Sequence, residues 1–317
     1  MDFAVNIESF ILLSDQVGAV IFPKNVTSEI WNLNTMKYMY SVPKIYGQFS
    51  PPNDHIIVCQ ENYNVMFFNW KTSEVIQNTN IDVDGGVRTI GHDYFAINCM
   101  QLTNIGYLDW RIDIYKLDTL QNIVNIWEET SMICGLPINN RVVFCENYQS
   151  EPVYFDLSSA NTRHKLKCMN EQNIINGMKA VRDELVLFTF YNSKMYIVDV
   201  FRDVVVKNIS NYSQGRYLRY AHCVNANVLL LVFEDRKSKL ICGELWCLRT
   251  DMILSALFAS TENVSFSSRG NQCAVISERN VDIYKIDVVI KSEKMNLFVE
   301  CLHRSLKSCH FVDVYIS

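Results

Sequence analysis

Short apolar runs separated by polar turns set the pattern of this chain. Between Phe49 and Gln77 three such runs follow one another: Ile56 to Cys59, Val65 to Phe68, and a third starting at Val75. Glu61-Asn62-Tyr63-Asn64 separates the first two, and Asn69 with Lys71-Thr72-Ser73 separates the second and third. Apolar runs of about four to eight residues bounded by turn-forming residues predict strands in antiparallel hairpin order. The pattern returns at Asp93–Cys99, Ile112–Leu117 and Ile123–Ile126, and again in the stretches Arg141–Ser159, Glu184–Val206, Asn227–Leu254 and Phe266–Asp287. Near the end, Leu297 with Cys301 and Phe298 with Leu302 stand at helical spacing, and Leu306 follows. A short helix is therefore expected within 294–309, with a strand over 310–317.

An aromatic or apolar residue followed by one polar or small residue marks the end of each third run. The pairs are Trp31-Asn32, Phe68-Asn69, Tyr115-Lys116, Phe155-Asp156, Val198-Asp199, Trp246-Cys247 and Tyr284-Lys285, at intervals of 37, 47, 40, 43, 48 and 38 residues. A period of roughly 40–45 residues with four short strands is that of a propeller blade. The strand order and the marker pairs resemble the WD40 repeat family in a degenerate form. Gly91-His92 stands ahead of Tyr115 as Gly-His stands ahead of Trp in that family, but the Asp after the marker survives only as Asp156 and Asp199. The resemblance implies an all-β, seven-bladed WD40-like β-propeller spanning residues 1–317 as one domain, with a short C-terminal extension. Loss of most Asp and His positions implies that apolar packing replaces much of the family's polar network. Ring closure is expected to use a terminal strand, either Ala4–Asn6 or Phe311–Ile316.

Composition narrows the function. About half of the chain is apolar and the formal net charge is −5, which disfavours broad nucleic-acid coating or attraction to an anionic membrane. The 11 cysteines include no Cys-x-x-Cys pair and do not read as a disulfide framework; Cys59, Cys99, Cys145 and Cys273 fall in or just after apolar runs and are expected to be small buried hydrophobes. The N-terminal apolar stretch Phe10–Leu13 is short and lacks a basic start, and no apolar run reaches about 18 residues. An intracellular protein of the cytoplasm or nucleus, without membrane insertion, is the expectation.

Sites of chemistry are sparse. No phosphate-binding Gly-rich loop, Gly-x-Ser-x-Gly or His-Glu-x-x-His occurs. Asp82 to Gly86 has the wrong spacing for a calcium loop, and Cys301, His303, Cys309 and His310 match no familiar zinc spacing. No enzyme activity, metal or cofactor is expected. A recurrence is more informative. Glu61-Asn62-Tyr63 and Glu146-Asn147-Tyr148 fall between the second and third predicted strands of their repeats, as do Tyr107, Tyr191, Arg236 and Arg279. On a propeller these loops share one rim, and Tyr joins a large apolar body to a polar tip suited to binding partners. The expected role is a non-enzymatic interaction platform for proteins or peptides, a subunit of a multiprotein assembly. A cullin-type ubiquitin-ligase substrate receptor is the competing reading, from the partial Trp-Asp-x-Arg likeness of Trp246-Cys247-Leu248-Arg249 and Phe68-Asn69-Trp70-Lys71. A propeller enzyme is the third.

Overall fold

Six of the seven marker pairs lie in the third strand of a sheet and Phe68-Asn69 in the sixth strand of a seven-stranded one; all but Tyr284-Lys285 stand at the strand's end. The computed structural model describes residues 6–23, 27–50, 52–61, 64–82, 86–102, 108–127, 132–135, 140–145, 152–158, 162–169, 175–182, 184–190, 194–209, 215–225, 227–248, 252–260, 264–277, 280–291, 294–301 and 310–312. They form two compact units: Met1–Val42 with Ser213–Ser317, and Pro43–Tyr212.

The chain begins with β1 (Ser9–Ser14), β2 (Val17–Ile21), β3 (Thr27–Asn32), β4 (Lys37–Gln48), β5 (Ile56–Glu61), β6 (Asn64–Asn69) and β7 (Glu74–Asp82), each hydrogen-bonded to the next. Four-stranded antiparallel sheets follow: β8 (Val87–Ile90) to β11 (Asn122–Trp127) through β9 (Tyr94–Leu102) and β10 (Leu108–Lys116), then β12 (Met132–Gly135), β13 (Arg141–Cys145), β14 (Val153–Asp156) and β15 (Thr162–Lys165). Next come β16 (Ile175–Arg182), β17 (Leu185–Phe190), β18 (Met195–Asp199) and β19 (Val204–Ile209), and β20 (Arg216–Asn225), β21 (Val228–Asp235), β22 (Ile241–Cys247) and β23 (Met252–Ser260). The last sheet has five strands: β24 (Ser265–Arg269), β25 (Gln272–Ile276), β26 (Val281–Lys291), β27 (Lys294–Cys301) and β28 (His310–Val312).

The all-β expectation holds, and five sheets have the four- or five-stranded form of a single blade. Among the described residues five such blades stand apart, not the seven expected. The long β4 continues through Pro43, so the first two repeats run into one seven-stranded ladder. The C-terminal expectation is corrected as well. Lys294–Cys301 is strand β27, paired residue for residue with β26 from Tyr284↔Cys301 to Lys291↔Lys294, and not a helix. Isolated helices of this length are marginal, whereas a hairpin on an existing edge satisfies the backbone at once. Residues 302–309 lie outside the described residues. In β28, His310, Phe311 and Val312 pair with β27. Among the described residues no terminal strand pairs with a sheet from the other end; Ala4, Val5 and residues 313–316 lie outside the described residues. The N-terminal strands meet the last sheet by packing: Phe10, Leu12 and Val20 bury against Ala274, Ile276 and Ile283, and the Leu12 N–H donates to Ser267 Oγ at 3.1 Å.

The second and third strands are buried on both faces, so they read as unbroken apolar runs. Val228–Phe233 of β21 is wholly buried, as are Met195–Asp199 of β18. Burying one such Val, Leu or Phe contributes about 1.5–3 kcal/mol. Aromatic rings carry the packing from one sheet to the next, where Phe67 meets Phe95 edge-on at 4.9 Å, and on within that sheet, where Phe95 stacks on Tyr115 at 5.4 Å. Among the described residues no helix is long and apolar enough to cross a membrane.

One hairpin geometry recurs between third and fourth strands. The side chains of Asn32, Asn69 and Asp199 accept hydrogen bonds from backbone N–H groups two and three residues on, at 2.9–3.2 Å. The fifth residue after four of the markers takes a left-handed conformation: Met36, Ser73, Leu120 and Asp203 have φ of 55, 60, 54 and 54°. The eighth residue is the extra one of a β-bulge at Ile76, Ile123, Val206 and Leu254. A bulge at this place bends the outer strand and blunts its edge.

Candidate functional site

In the unit Pro43–Tyr212, each sheet has two ends with different tasks. At one end lie the first-to-second and third-to-fourth turns, and these interlock neighbouring sheets through polar groups. Asn53 Nδ2 donates to the His92 carbonyl at 2.9 Å, and the Ser50 N–H to the Gly91 carbonyl at 2.9 Å. Asn140, 6% exposed, accepts from the N–H groups of His92 and Asp93 at 3.0 and 3.2 Å, and its Nδ2 donates to Asp93 Oδ2 at 2.9 Å. Gly91 is required there: a Cβ on it would stand 2.5 Å from Asn140 Oδ1, and its φ is +56°.

The next junction is built on Arg141. Its guanidinium donates to Asp156 Oδ2 at 2.9 Å and to Glu184 Oε1, and it lies 5.1 Å from the Phe201 ring centre and 5.8 Å from that of Tyr154. Burial works against the Arg141 charge, but the Asp156 hydrogen bond and the charges around it outweigh that and push its pKa up. Burial and the Glu184 charge hold the Tyr154 phenol neutral well above the usual range. Asp203 completes the junction by accepting from the N–H groups of Lys167 and Cys168, both at 3.0 Å. Burial opposes the Asp203 carboxylate charge, yet these hydrogen bonds bring its pKa down. The half-buried Cys168 thiol is pushed up to about 12, by burial first and then by its side-chain hydrogen bond to Asp203 and the Asp203 charge.

Glu61 ends β5, Leu102 ends β9, Cys145 ends β13 and Phe190 ends β17, all at the opposite end from those interlocks. The connections that carry Asn62 and Tyr63, Tyr107, Glu146, Asn147 and Tyr148, and Tyr191 therefore leave these four sheets at a common end. Those residues themselves, like Arg279, lie outside the described residues, as does the side chain of Glu61. In the other unit, Arg236 is exposed in the β21–β22 turn, where its N–H donates to the Gly215 carbonyl at 2.9 Å. Asp235 shapes that turn by accepting from the N–H groups of Lys237 and Ser238 at 3.0 and 2.7 Å, which keeps its pKa below the usual carboxylate range.

The partial Trp-Asp-x-Arg positions serve packing. Trp246 is 8% exposed and donates to Glu244 at 3.1 Å, and Trp31 donates to Glu29, two residues before it, at 2.9 Å. Asn69 caps its turn, while the buried Trp70 donates to the Asp54 carbonyl at 3.1 Å. Arg249 lies outside the described residues. Cys59 and Cys273 are wholly buried, as expected of small apolar residues. The side chains of Cys99 and Cys145 are outside the described set, as are His303 and Cys309. What sequence reasoning missed is the polar interlock at the other end: Asn140, Arg141, Glu184 and Asp203 belong to no motif. Their one visible signal is position, since Asn140, Arg141 and Glu184 stand just before or at the start of a second strand.

No protein-family model matches the chain, and no curated protein matches it. Solved structures do. Hsv2 of Kluyveromyces lactis has a TM-score of 0.61 at 10% identity, covering 93% of this chain and 97% of that one. A form of it with a complete loop 6CD has a TM-score of 0.63 at 9% identity, covering 94% and 98%. Hsv2 of K. marxianus has a TM-score of 0.62 at 10% identity, covering 98% and 100%. At such identity the likeness establishes the fold alone, and the fold is a β-propeller.

Proposed function

We propose that the chain is a non-enzymatic protein-interaction platform, a subunit of a multiprotein assembly that binds proteins or peptides through its second-to-third strand loops. The carrying observation is the division of labour within the unit Pro43–Tyr212. One end of its sheets is committed to joining neighbours through Asn53, Asn140, Arg141 and Asp203. The connections at the other end are rich in Tyr, Asn and Glu by sequence. Such loops on a rigid scaffold are where binding residues concentrate, and Tyr is enriched among residues that dominate interface energies. The proposal extends to the architecture: the ladder β1–β7 counts as two WD40-like repeats fused at β4, which gives seven repeats in six hydrogen-bonded sheets.

The test is affinity purification of the tagged full chain beside a variant with Tyr63, Tyr107, Tyr148 and Tyr191 all changed to Ala. Stoichiometric partners should be recovered by the parent and lost by the variant, whose circular dichroism stays unchanged. Full recovery of every partner by the variant overturns the assignment of these loops. Recovery of a cullin adaptor as the main partner replaces the platform by the ligase-receptor reading.

A further inference from the structure

The outer strand β19 carries three consecutive exposed valines. Val204, Val205 and Val206 are 45, 39 and 54% exposed, and Phe201 in the preceding turn is 61% exposed. Single exposed apolar residues are ordinary, but a contiguous run beside an exposed aromatic on a sheet edge is a feature that soluble proteins usually avoid. Pairing explains where these residues sit and not why they are apolar. Val204 and Val205 oppose Asp199 and Val198, and Val206 is the bulged residue.

Cations frame this strip. Asp203 binds the backbone N–H groups of Lys167 and Cys168, so the chain just past β15 is held against the start of β19. That contact holds the segment carrying the exposed Lys167 against Asp203, the residue after Arg202; the Arg202 side chain is 76% exposed although paired with Asp199, and Lys207 follows directly on Val206. The nearby acids are engaged: Asp203 with the two N–H groups, and Asp199, itself buried, with the turn and with Arg202 at 3.2 Å. Beneath Phe201 the Arg141 guanidinium supports the ring in its outward position.

We infer that the surface formed by β19 and the end of β15 docks an extended segment of a partner protein in which acidic residues flank apolar ones. Charge decides the occupant. A second copy using the same surface in a two-fold dimer would set the cation-framed strip of one copy against the cation-framed strip of the other. A nucleic acid would satisfy the cations and leave three valines against phosphate and water. An acidic–apolar segment satisfies both. The bulge at Val206 interrupts the edge, so side chains rather than a continuous added strand carry the contact. This surface lies along the outer edge of its sheets, away from the second-to-third loops, and does not depend on them.

The experiment uses the full chain and three fluorescein-labelled probes: a short peptide alternating Glu with Val and Leu, the same peptide with Lys for Glu, and a single-stranded oligonucleotide. Fluorescence anisotropy should detect the acidic peptide alone. Lys167→Glu and Val205→Glu should each weaken it by about tenfold or more, close to 1.4 kcal/mol, with unchanged thermal melting. Raising the salt concentration should weaken it further. No binding of the acidic peptide up to about 1 mM overturns the inference. So does equal binding of the Lys peptide, preference for the oligonucleotide, or indifference to both substitutions. A chain that is dimeric in solution and made monomeric by Val205→Glu assigns the surface to a second copy instead.

Discussion

Asn140 offers the sharpest test of the polar interlock. Replacing it with Ala leaves the His92 and Asp93 N–H groups without the acceptor they reach at 3.0 and 3.2 Å, and removes the 2.9 Å bond from Nδ2 to Asp93. A buried donor left unsatisfied costs about 1–3 kcal/mol, and a hydrogen bond to a charged group contributes about 1.5–3 kcal/mol. The site is partly solvated on the His92–Asp93 side, so the lower ends apply. Asn140 also has φ 46°, where Ala is strained by about 1 kcal/mol more than Gly. The sum for Asn140→Ala is about 4–5 kcal/mol, and Asn140→Gly should cost about 1 kcal/mol less. Urea unfolding followed by tryptophan fluorescence should then show a midpoint lowered by about 1 M or more for Ala. Asn140→Asp keeps the acceptor but sets a second carboxylate where Nδ2 now meets Asp93. Adding Asp93→Asn exchanges donor and acceptor and should restore more than about 1 kcal/mol in a double-mutant cycle. A change below about 0.5 kcal/mol for Ala, or no recovery in the double variant, would refute the interlock as a source of stability.

Other consequences can be checked in the same assay. Arg141→Leu strands the Asp156 and Glu184 carboxylates and should destabilise by about 2–3 kcal/mol, with partial recovery in Arg141→Leu/Glu184→Leu; equal stability of the single variant and the parent would contradict the ion-pair geometry. Gly243→Ala drives a Cβ to within 2.2 Å of the Phe258 ring and should cost about 1–3 kcal/mol, relieved by adding Phe258→Leu. The buried Cys273 thiol is pushed up to about 12 by burial, against about 8.5 in the unfolded chain. Because the folded value is the higher one, its contribution is complete below pH 8.5 and is lost as pH rises towards 12. Near pH 10 the loss is about 2 kcal/mol, and Cys273→Ala should flatten that part of the stability profile between pH 8 and 10; identical profiles would count against the assignment.

The strand framework was legible because its signals are local. Val228–Phe233 and Leu185–Phe190 are apolar without alternation since both faces are covered, and Asn32 and Asn69 follow their markers because a turn needs a side-chain acceptor there. Two misreadings have one cause. Leu297, Phe298, Cys301 and Leu302 fit a helical face, but β26 offers an unpaired edge eight residues long, and a neighbour decides what periodicity leaves open. Likewise the continuity of β4 through Pro43 depends on partners on either side that spacing cannot reveal.

The candidate site divides along the same line. Turn chemistry placed the Tyr-bearing loops between second and third strands, because a turn is written in adjacent residues. The interlocks are written in residues far apart: Asn140 with His92 and Asp93, Arg141 with Glu184, Lys167 with Asp203. Each is an ordinary polar residue until folding brings its partner within 3.2 Å or less. Their clustering at one end is the observation from which the loop hypothesis starts. The valine strip of β19 follows the converse logic. Its apolar residues are close in sequence, but only the Asp203 contact, which holds the segment carrying Lys167 against the residue after Arg202, separates a docking surface from an outer strand with unused hydrophobic area.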